Sequence, residues 1–369
     1  MKPKCKFDRR RFLRSSAIFT STLWLPQAGQ LASEGSEITL GTWPHRVYKE
    51  NDGILQPTPT ESCVFNLMVR ETQNRAMDPI SAHLEFYSAS EKVHTVDVTR
   101  KALEAIRSTS IAERGPEDRE EEVFDLRHYF SFPVSLGVDR LEYALFVARP
   151  GGSQVQKRLT IPLLRYQQKT KLILPMKGKC WVGAGHDFNE PHSDGRSQHF
   201  AYDFLGVGAN WEIVRDQGGA SSDWYTWARE IISPADGKVV YARNDVPDNL
   251  KPRRINKELY ANLPEPNAAL AGNNVLLDHG NGEYSSLGHM RQGSVRVRTG
   301  DRVKQGDVLG EVGNTGASPV PHLHYHLVSV GHVSLADGLP SRFDNISFDL
   351  FQAPIPVLTP KRGILLIAH

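Results

Sequence analysis

The sequence has few cysteines, no long uninterrupted apolar run and almost no net charge. Three cysteines in 369 residues cannot build a disulfide-stabilised scaffold. No stretch approaches the ~18 consecutive apolar residues that a membrane-spanning helix needs, so no span is expected in the mature chain. A formal net charge of +2, without a basic patch, argues against a nucleic-acid partner. None of these features indicates an oligomeric state.

The first 32 residues have the pattern of an export signal. Paired arginines at 9–11 precede Phe12-Leu13-Arg14, and a short apolar run follows from Ala17 to Leu25. This arrangement resembles the twin-arginine signal of exported bacterial proteins. The segment holds seven of the 44 basic residues and one of the 42 acidic residues, so residues 33–369 carry a net charge of −4. We predict export by the twin-arginine route to the periplasm or the extracellular space.

Two cysteines, Cys63 and Cys180, remain outside this segment. An oxidising compartment would permit a disulfide between them. Two separate buried thiols agree with the sequence equally well, so both interpretations stay open.

Residues 33–170 have the pattern of a β-rich accessory domain. Segments such as 63–70, 82–87 and 141–148 alternate apolar and polar residues, as half-buried strands do. Turn residues separate these segments. The histidines of this domain are scattered and form no catalytic constellation. We predict a small β-sandwich here.

The composition changes near residue 171, and nine of the fourteen histidines lie between His186 and His332. We predict a second domain over 171–340, again built of strands. Two segments, Asn210 to Arg229 and Asp245 to Gly272, interrupt the strand pattern and are predicted to be loop insertions. The tail, 341–369, could add a strand to either domain.

Residues 321–327 read Pro-His-Leu-His-Tyr-His-Leu and place three imidazoles at alternate positions. In a strand, residues two apart project from the same face. His322, His324 and His326 would therefore line one surface, while the apolar residues between them pack on the other. Such a surface can offer nitrogen ligands to a metal ion.

A second set of ligand types lies at 199–203, which reads His-Phe-Ala-Tyr-Asp. His199 and Asp203 are four residues apart, and the bulky apolar residues nearby favour a strand with both side chains on one face. These two residues and one histidine of 322–326 would give three protein ligands. Three protein ligands with water in the fourth position are common for catalytic zinc.

Three further motifs stand in order between these two sets: Pro-Ala-Asp-Gly at 234–237, Leu-Gly-His at 287–289 and Gly-Asp-x-Val-x-x-Gly at 300–306. With His-x-x-x-Asp and Pro-His-Leu-His, they resemble the lysostaphin/LytM-type zinc metallopeptidases. This family of murein endopeptidases has the duplicated hybrid motif fold and cuts peptide bonds in bacterial cell walls. The resemblance runs from about Gly185 to Val328, some two-fifths of the chain.

The resemblance implies a mostly antiparallel β domain whose site lies in a groove floored by the sheet. It implies that His199, Asp203 and His324 bind one zinc ion. His289 and His322 would then be the two unligated histidines that flank the metal-bound water, and which of them is the base stays open. The implied substrate is peptidoglycan peptides. The predicted fold class is therefore all-β, with a small β-sandwich-like N-terminal domain and a LytM-type peptidase domain with loop insertions.

Three other histidines have two interpretations each. His326 could be a partner of a ligand or an exposed strand residue, and we favour the exposed residue. His186 and His192 could line the groove or lie in a flexible loop.

Two alternative functions compete with the peptidase. One is a non-catalytic LytM-fold binding or regulatory module of cell-wall metabolism, which is disfavoured because all five expected positions are filled. The other comes from the turns at 300–316, which also resemble those of biotinyl/lipoyl carrier domains. Lys304 lacks the hairpin setting beside Met that such a carrier lysine has, so this alternative is disfavoured too.

Overall fold

The computed structural model describes residues 38–51, 59–71, 77–108, 122–149, 152–186, 192, 197–216, 218–249, 251–255, 270–333, 336–348, 362 and 364–369. The predicted export signal, residues 1–32, lies outside the described residues. Among the described residues, no helix has the length and apolar character needed to cross a membrane.

Strands make up most of the first half of the described chain. In order, its elements are β1 (Ile38–Trp43), β2 (Val47–Tyr48), β3 (Glu50–Asn51), β4 (Thr60–Glu71), β5 (Asp78–Ser88), β6 (Glu91–Thr99), α1 (Arg100–Ala105), β7 (Arg107–Ser108), β8 (Glu122–Pro133), β9 (Arg140–Ala148) and β10 (Gln154–Leu164). They form two five-stranded sheets. One has the order β1-β4-β8-β7 with β3 paired to β4, and the other has the order β2-β10-β9-β5-β6.

These two sheets share one hydrophobic core. Phe65 and Leu67 on β4 are fully buried in the same cluster as Leu84 on β5 and Leu145 on β9. Because alternate residues of a strand face the same side, each sheet directs every second residue inward. The predicted β-sandwich is confirmed.

The second half of the described chain is also built of strands. They are β11 (Gly178–Ala184), β12 (Tyr202–Gly206), β13 (Glu230–Ile232), β14 (Gly237–Ala242), β15 (Asn273–Asp278), β16 (Tyr284–Met290), β17 (Arg302–Val303), β18 (Val308–Glu311), β19 (Leu323–Val328), β20 (Gly338–Leu339), β21 (Ile346–Phe348) and β22 (Leu365–Ala368).

Ten of these strands form one sheet in the order β17-β14-β15-β16-β19-β12-β11-β22-β21, with β20 paired to β19. Every pair in it is antiparallel. Strands β13 and β18 form a separate antiparallel pair. The predicted all-β, mostly antiparallel fold is therefore confirmed. The C-terminal segment adds β21 and β22 at one edge of the large sheet.

Strands β15 and β16 pair with each other and form a hairpin. Its turn contains Asn281 with φ 58° between Gly280 and Gly282, whose φ values are 77° and 76°. Glycine adopts positive φ without steric conflict, and asparagine tolerates it better than most residues.

The two predicted insertions contain turns and isolated bridges rather than strands in their described parts. The first insertion includes a short 3-10 helix at Ser221–Asp223. In the second, residues 256–269 lie outside the described residues.

The segment that follows β10 is hydrogen-bonded to Glu283, which directly precedes β16 of the large sheet. The fully buried Glu283 carboxylate accepts hydrogen bonds from the Tyr166 hydroxyl and from the backbone N–H groups of Lys169 and Thr170. Burial alone would raise the pKa of Glu283, but these donors outweigh it and lower the pKa. A charged residue thus joins the two halves of the chain.

Cys63 and Cys180 are separate thiols and form no disulfide with each other. Cys63 is buried in the sandwich core and Cys180 in the core of the large sheet. Of the two interpretations left open by the sequence, the structure has the one without a disulfide.

Candidate metal centre

The candidate centre is built on two neighbouring strands of the large sheet, β12 and β19. In their register, His324 lies directly opposite Asp203. Directly paired residues project from the same face of a sheet, so these two side chains meet. On the other face, Leu323, Tyr325 and Leu327 are fully buried in the core, as the alternating pattern predicted.

Asp203 is the point at which the histidines converge. Nδ1 of His324 donates to Oδ1 of Asp203 at 2.9 Å, and Nε2 of His322 lies 3.2 Å from the same oxygen. Nε2 of His192 lies 3.6 Å from the other oxygen, Oδ2. The Asp203 side chain is 19% exposed, so these contacts are partly shielded from water.

The charges of this cluster depend on one another. Burial would raise the pKa of Asp203, but the imidazoles of His322 and His192 outweigh burial and hold the pKa well below its usual range. Burial would likewise lower the pKa of His322, and the Asp203 carboxylate reverses this and raises it. Burial lowers the pKa of His192 to about 4. The cluster therefore favours an ionised Asp203 carboxylate. The imidazoles around it are either neutral or paired with that carboxylate.

His289 reaches the centre through a left-handed backbone conformation. In the register of β16 with β19, Gly288 lies opposite His324, so strict alternation would turn the next residue toward the core. The φ of His289 is 60°, a region that costs a residue with a Cβ about 1–2 kcal/mol. The His289 ring centroid lies 4.7 Å from that of His322 and 5.5 Å from that of His324.

The two histidines predicted to move protons are each anchored at Nδ1. His289 donates from Nδ1 to the Thr315 carbonyl at 2.7 Å, and His322 donates from Nδ1 to the Val320 carbonyl at 2.7 Å. Carbonyl oxygens only accept hydrogen bonds, so both Nδ1 atoms carry a proton. In a neutral ring the Nε2 atom is then unprotonated and can accept a proton or bind an ion.

Two overlapping groups of donors could hold a metal ion. One is His289, His322 and His324, and the other is His192, Asp203 and His324. In each group, one ligand atom from every residue lies within 4.8 Å of the others. Imidazole nitrogen and carboxylate oxygen are the donors that zinc takes in proteins. The residues present therefore fit a zinc ion.

The structure does not bring His199 into either group. Strand β12 begins at Tyr202, and His199 lies in a turn that the hydrogen bond from the Ala201 N–H to the Gln198 carbonyl closes at 2.8 Å. The prediction that His199 and Asp203 share one strand face is therefore wrong, because the turn ends the alternation before the strand begins. The role of His199 as a zinc ligand stays a prediction.

The prediction that His326 is exposed is wrong, since only 2% of it is accessible to solvent. Its Nδ1 donates to the Ser197 carbonyl at 2.9 Å. The turn that contains His199 thus crosses the histidine face of β19 and covers it. Burial lowers the pKa of His326 to about 3, so the ring is neutral. The alternation of histidines predicted the face of β19 on which His326 lies. It did not predict that another segment covers this face.

His186 supports the first half of β12 rather than lining a groove. Its Nε2 donates to the Phe200 carbonyl at 2.9 Å, and its ring stacks on Tyr202 at a centroid distance of 4.5 Å. Its Nδ1 lies 3.7 Å from Glu50 of β3. The sandwich half therefore contacts the segment that leads into the centre.

Sequence reasoning missed Asn249, which braces the loop between β18 and β19. Its Nδ2 lies 2.8 Å from the Asn314 carbonyl and 3.1 Å from the carbonyls of both Gly316 and Ser318. Next to it, Asp248 Oδ1 accepts a hydrogen bond from the Asn314 N–H at 2.6 Å. This loop supplies the carbonyl that anchors His289. A polar residue in a proline-containing insertion belongs to no recognisable motif, so no signal pointed to it.

Residues 225–334 match the model of peptidase family M23. This range contains His289, His322 and His324 and begins after Asp203. The cell division protein DipM of Caulobacter vibrioides is 32% identical over 97 residues, which are 26% of this chain and 12% of that protein. The peptidoglycan DD-endopeptidase ShyA of Vibrio cholerae is 38% identical over 65 residues, which are 18% of this chain and 15% of that protein.

The chain therefore spans under a sixth of the length of either relative. Among solved structures, the M23 metalloprotease pseudoalterin from the deep sea has 15% sequence identity and a TM-score of 0.31, covering 55% of this chain and 96% of that chain. From the family match, the chain contains an M23 peptidase domain.

Proposed function

We propose that the chain is an exported zinc metalloendopeptidase that hydrolyses peptide bonds in peptidoglycan stem or cross-bridge peptides. The observation that carries this proposal is the convergence of Asp203 and His324 with two further imidazoles, His289 and His322. These four residues come from three separated parts of the chain and include three of the six histidines inside the M23 match.

The proposed ligands of one zinc ion are His199, Asp203 and His324. Asp203 and His324 already touch, and each contributes a donor of the type that zinc prefers. When bound, zinc lowers the pKa of a coordinated water to about 7 and polarises a substrate carbonyl. His199 lies four residues before Asp203, in the turn whose Ser197 carbonyl accepts a hydrogen bond from His326.

His289 and His322 are the proposed proton-transfer residues. Each is fixed by its Nδ1–H bond to a carbonyl, so Nε2 is the nitrogen that can exchange a proton with the attacking water or the leaving amine. In His322 this nitrogen also faces the Asp203 carboxylate, which favours the protonated ring. A protonated ring at this position can also donate to the oxygen that becomes negative. Both rings are largely buried, which strengthens these interactions.

The substrate class rests on the relatives. ShyA is described as a peptidoglycan DD-endopeptidase, as is ShyC of Vibrio cholerae, which is 40% identical over 60 residues. Peptides of bacterial cell walls are therefore the substrate that we propose for this chain.

The test uses purified residues 33–369 and cross-linked muropeptides, with product masses and bound zinc measured together. We expect cleavage that a chelator abolishes and added zinc restores, and we expect none with Asp203→Ala. A folded protein that binds no zinc and cleaves nothing would refute the proposal. Zinc binding without cleavage of any wall peptide would favour the non-catalytic binding module instead.

Export is proposed from residues 1–32 alone. Replacing Arg9 and Arg10 with lysine preserves the charge but removes the paired arginines. We expect the full-length variant to remain in the cytoplasm while the unaltered chain is exported. Equal export of both would refute the twin-arginine route.

A further inference from the structure

A fourth imidazole reaches the Asp203–His324 pair, although no motif includes it. The ring of His192 makes an edge contact with His324 at a centroid distance of 4.7 Å. Its Nε2 lies 3.6 Å from Asp203 Oδ2, and its side chain is only 13% exposed. One ligand atom of each of these three residues lies within 4.8 Å of the other two.

The distances agree with a shared ion. Donors at about 2.0–2.1 Å from a tetrahedral zinc ion lie about 3.4 Å from one another. The separation of 3.6 Å between His192 Nε2 and Asp203 Oδ2 is close to this value. His192 and His324 approach different oxygens of the carboxylate, so they do not compete for one atom.

The other nitrogen of His192 also points to a missing ligand. Its Nδ1 atom is buried and has no hydrogen-bond partner among the described residues. His289, His322 and His326 differ, because each anchors Nδ1 to a backbone carbonyl. A buried polar atom without a partner calls for an explanation, and a metal ion bound by this ring is one such explanation. Rotation of the ring can present either nitrogen to it.

We propose that His192, in place of His199, is the third protein ligand of the zinc ion held by Asp203 and His324, which leaves the fourth position for water. This inference rests on the proposed function, because it concerns the same ion. His192 stands seven residues before His199 and outside the His-x-x-x-Asp motif, so the chain would have a donor that the motif does not contain.

The first measurement is the zinc dissociation constant of the purified protein, determined by competition with a chromophoric chelator. We expect His192→Ala to raise this constant at least tenfold. His332→Ala replaces an exposed histidine near the same sheet and is expected to leave the constant unchanged. Asp203→Ala shows the size of the effect when a ligand named in the proposed function is removed.

The second measurement detects direct coordination and does not depend on a loss of affinity. His192→Cys, loaded with Co²⁺, is expected to show a thiolate-to-cobalt charge-transfer band in the near ultraviolet. His332→Cys is the matched control and should not show it. The buried Cys63 and Cys180 are common to both variants and cancel in the comparison.

The outcomes separate this inference from the proposed function. Wild-type zinc affinity in His192→Ala, with no band in His192→Cys, would overturn the role of His192 and leave the peptidase proposal intact. A wild-type protein that binds no zinc would overturn both. A charge-transfer band in His192→Cys supports the inference even if His192→Ala folds poorly.

Discussion

The backbone of His289 shows how a single residue is adapted to the candidate centre. Its φ of 60° is unfavourable for a residue with a side chain, yet it brings the ring beside His322. Backbone strain of this kind persists where contacts with the surrounding structure hold the residue in its conformation. Here the Thr315 carbonyl holds the ring at Nδ1. The geometry is therefore maintained by contacts outside the strand.

At the residue scale, His289→Ala and His322→Ala test the assigned proton transfer. Removal of a general acid or base typically lowers the rate by about 10²–10⁴-fold, so we expect kcat on muropeptides to fall in that range. The bound zinc, measured by elemental analysis, should stay at the wild-type level. Loss of zinc in either variant would instead identify that histidine as a ligand.

A second residue-scale prediction concerns pH and the sandwich core. His128 is buried, with Nε2 2.9 Å from the Tyr143 hydroxyl, and burial lowers its pKa to about 3. In the unfolded chain the pKa returns to about 6.5. Between these values the unfolded chain binds the proton and the folded chain does not. The contribution of His128 to stability is therefore complete above pH 6.5 and is lost as the pH falls toward 3.

The measurement compares urea unfolding at pH 6.5 and pH 5. We expect the loss in the free energy of unfolding to be smaller by about 2 kcal/mol in His128→Gln, which cannot be protonated. His94→Gln, on the exposed surface of β6, is the matched control and should lose as much as the wild type. An equal loss in all three proteins would contradict the argument.

At the scale of elements, the central position of β19 in the large sheet determines where most residues of the candidate centre lie. It pairs with β12 on one side and β16 on the other, so it holds the ring of His324 between Asp203 and the segment that carries His289. Its own histidine face is covered by the turn before β12. A strand with neighbours on both sides cannot shift its register without breaking both ladders.

The loop between β18 and β19 is a second element on which the site depends. Asn249→Ala removes the amide that contacts three of its carbonyls, so Thr315 and Ser318 should lose their fixed positions beside His289 and His322. We expect kcat/KM to fall about 10–100-fold with zinc content unchanged. Gln292→Ala, an exposed change in the same region, should have little effect. Wild-type kcat/KM in Asn249→Ala would show that the brace is dispensable.

The sequence predicted which segments form strands better than it predicted the residues at which those strands begin and end. The strand from Tyr202 was identified because the alternation of bulky apolar residues is a local feature. The turn at 198–201 was missed, since no proline or glycine marks it. That single turn separates His199 from the strand that carries Asp203.

At the scale of the whole molecule, the sandwich half extends into the other core. Tyr48 follows the strand pattern of the sandwich, yet it packs with the core of the large sheet. Its ring lies 5.4 Å from that of Tyr166 and 6.2 Å from that of Phe200, between centroids. Since Phe200 adjoins His199, the first half of the chain supports the segment that leads to the candidate centre.

Tyr48→Ala tests this support. Truncation of a buried aromatic residue to alanine typically costs about 3–5 kcal/mol, and we expect a loss of that size in the free energy of urea unfolding. Tyr129→Ala removes a tyrosine that is 49% exposed on β8, and its effect should stay within about 0.5 kcal/mol. A loss below about 1 kcal/mol in Tyr48→Ala would mean that the two halves are stable independently at this contact.

The sequence by itself determined the donor types, the face of β19 on which His322, His324 and His326 lie, and the all-β class. These properties follow from side-chain chemistry and from the two-residue period of a strand, which are both local. Tertiary structure alone decided that Asp203 lies opposite His324, that His289 turns out of the core, and that His192 approaches the same carboxylate. Each of these depends on register or packing between segments far apart in the chain, where short-range periodicity carries no information.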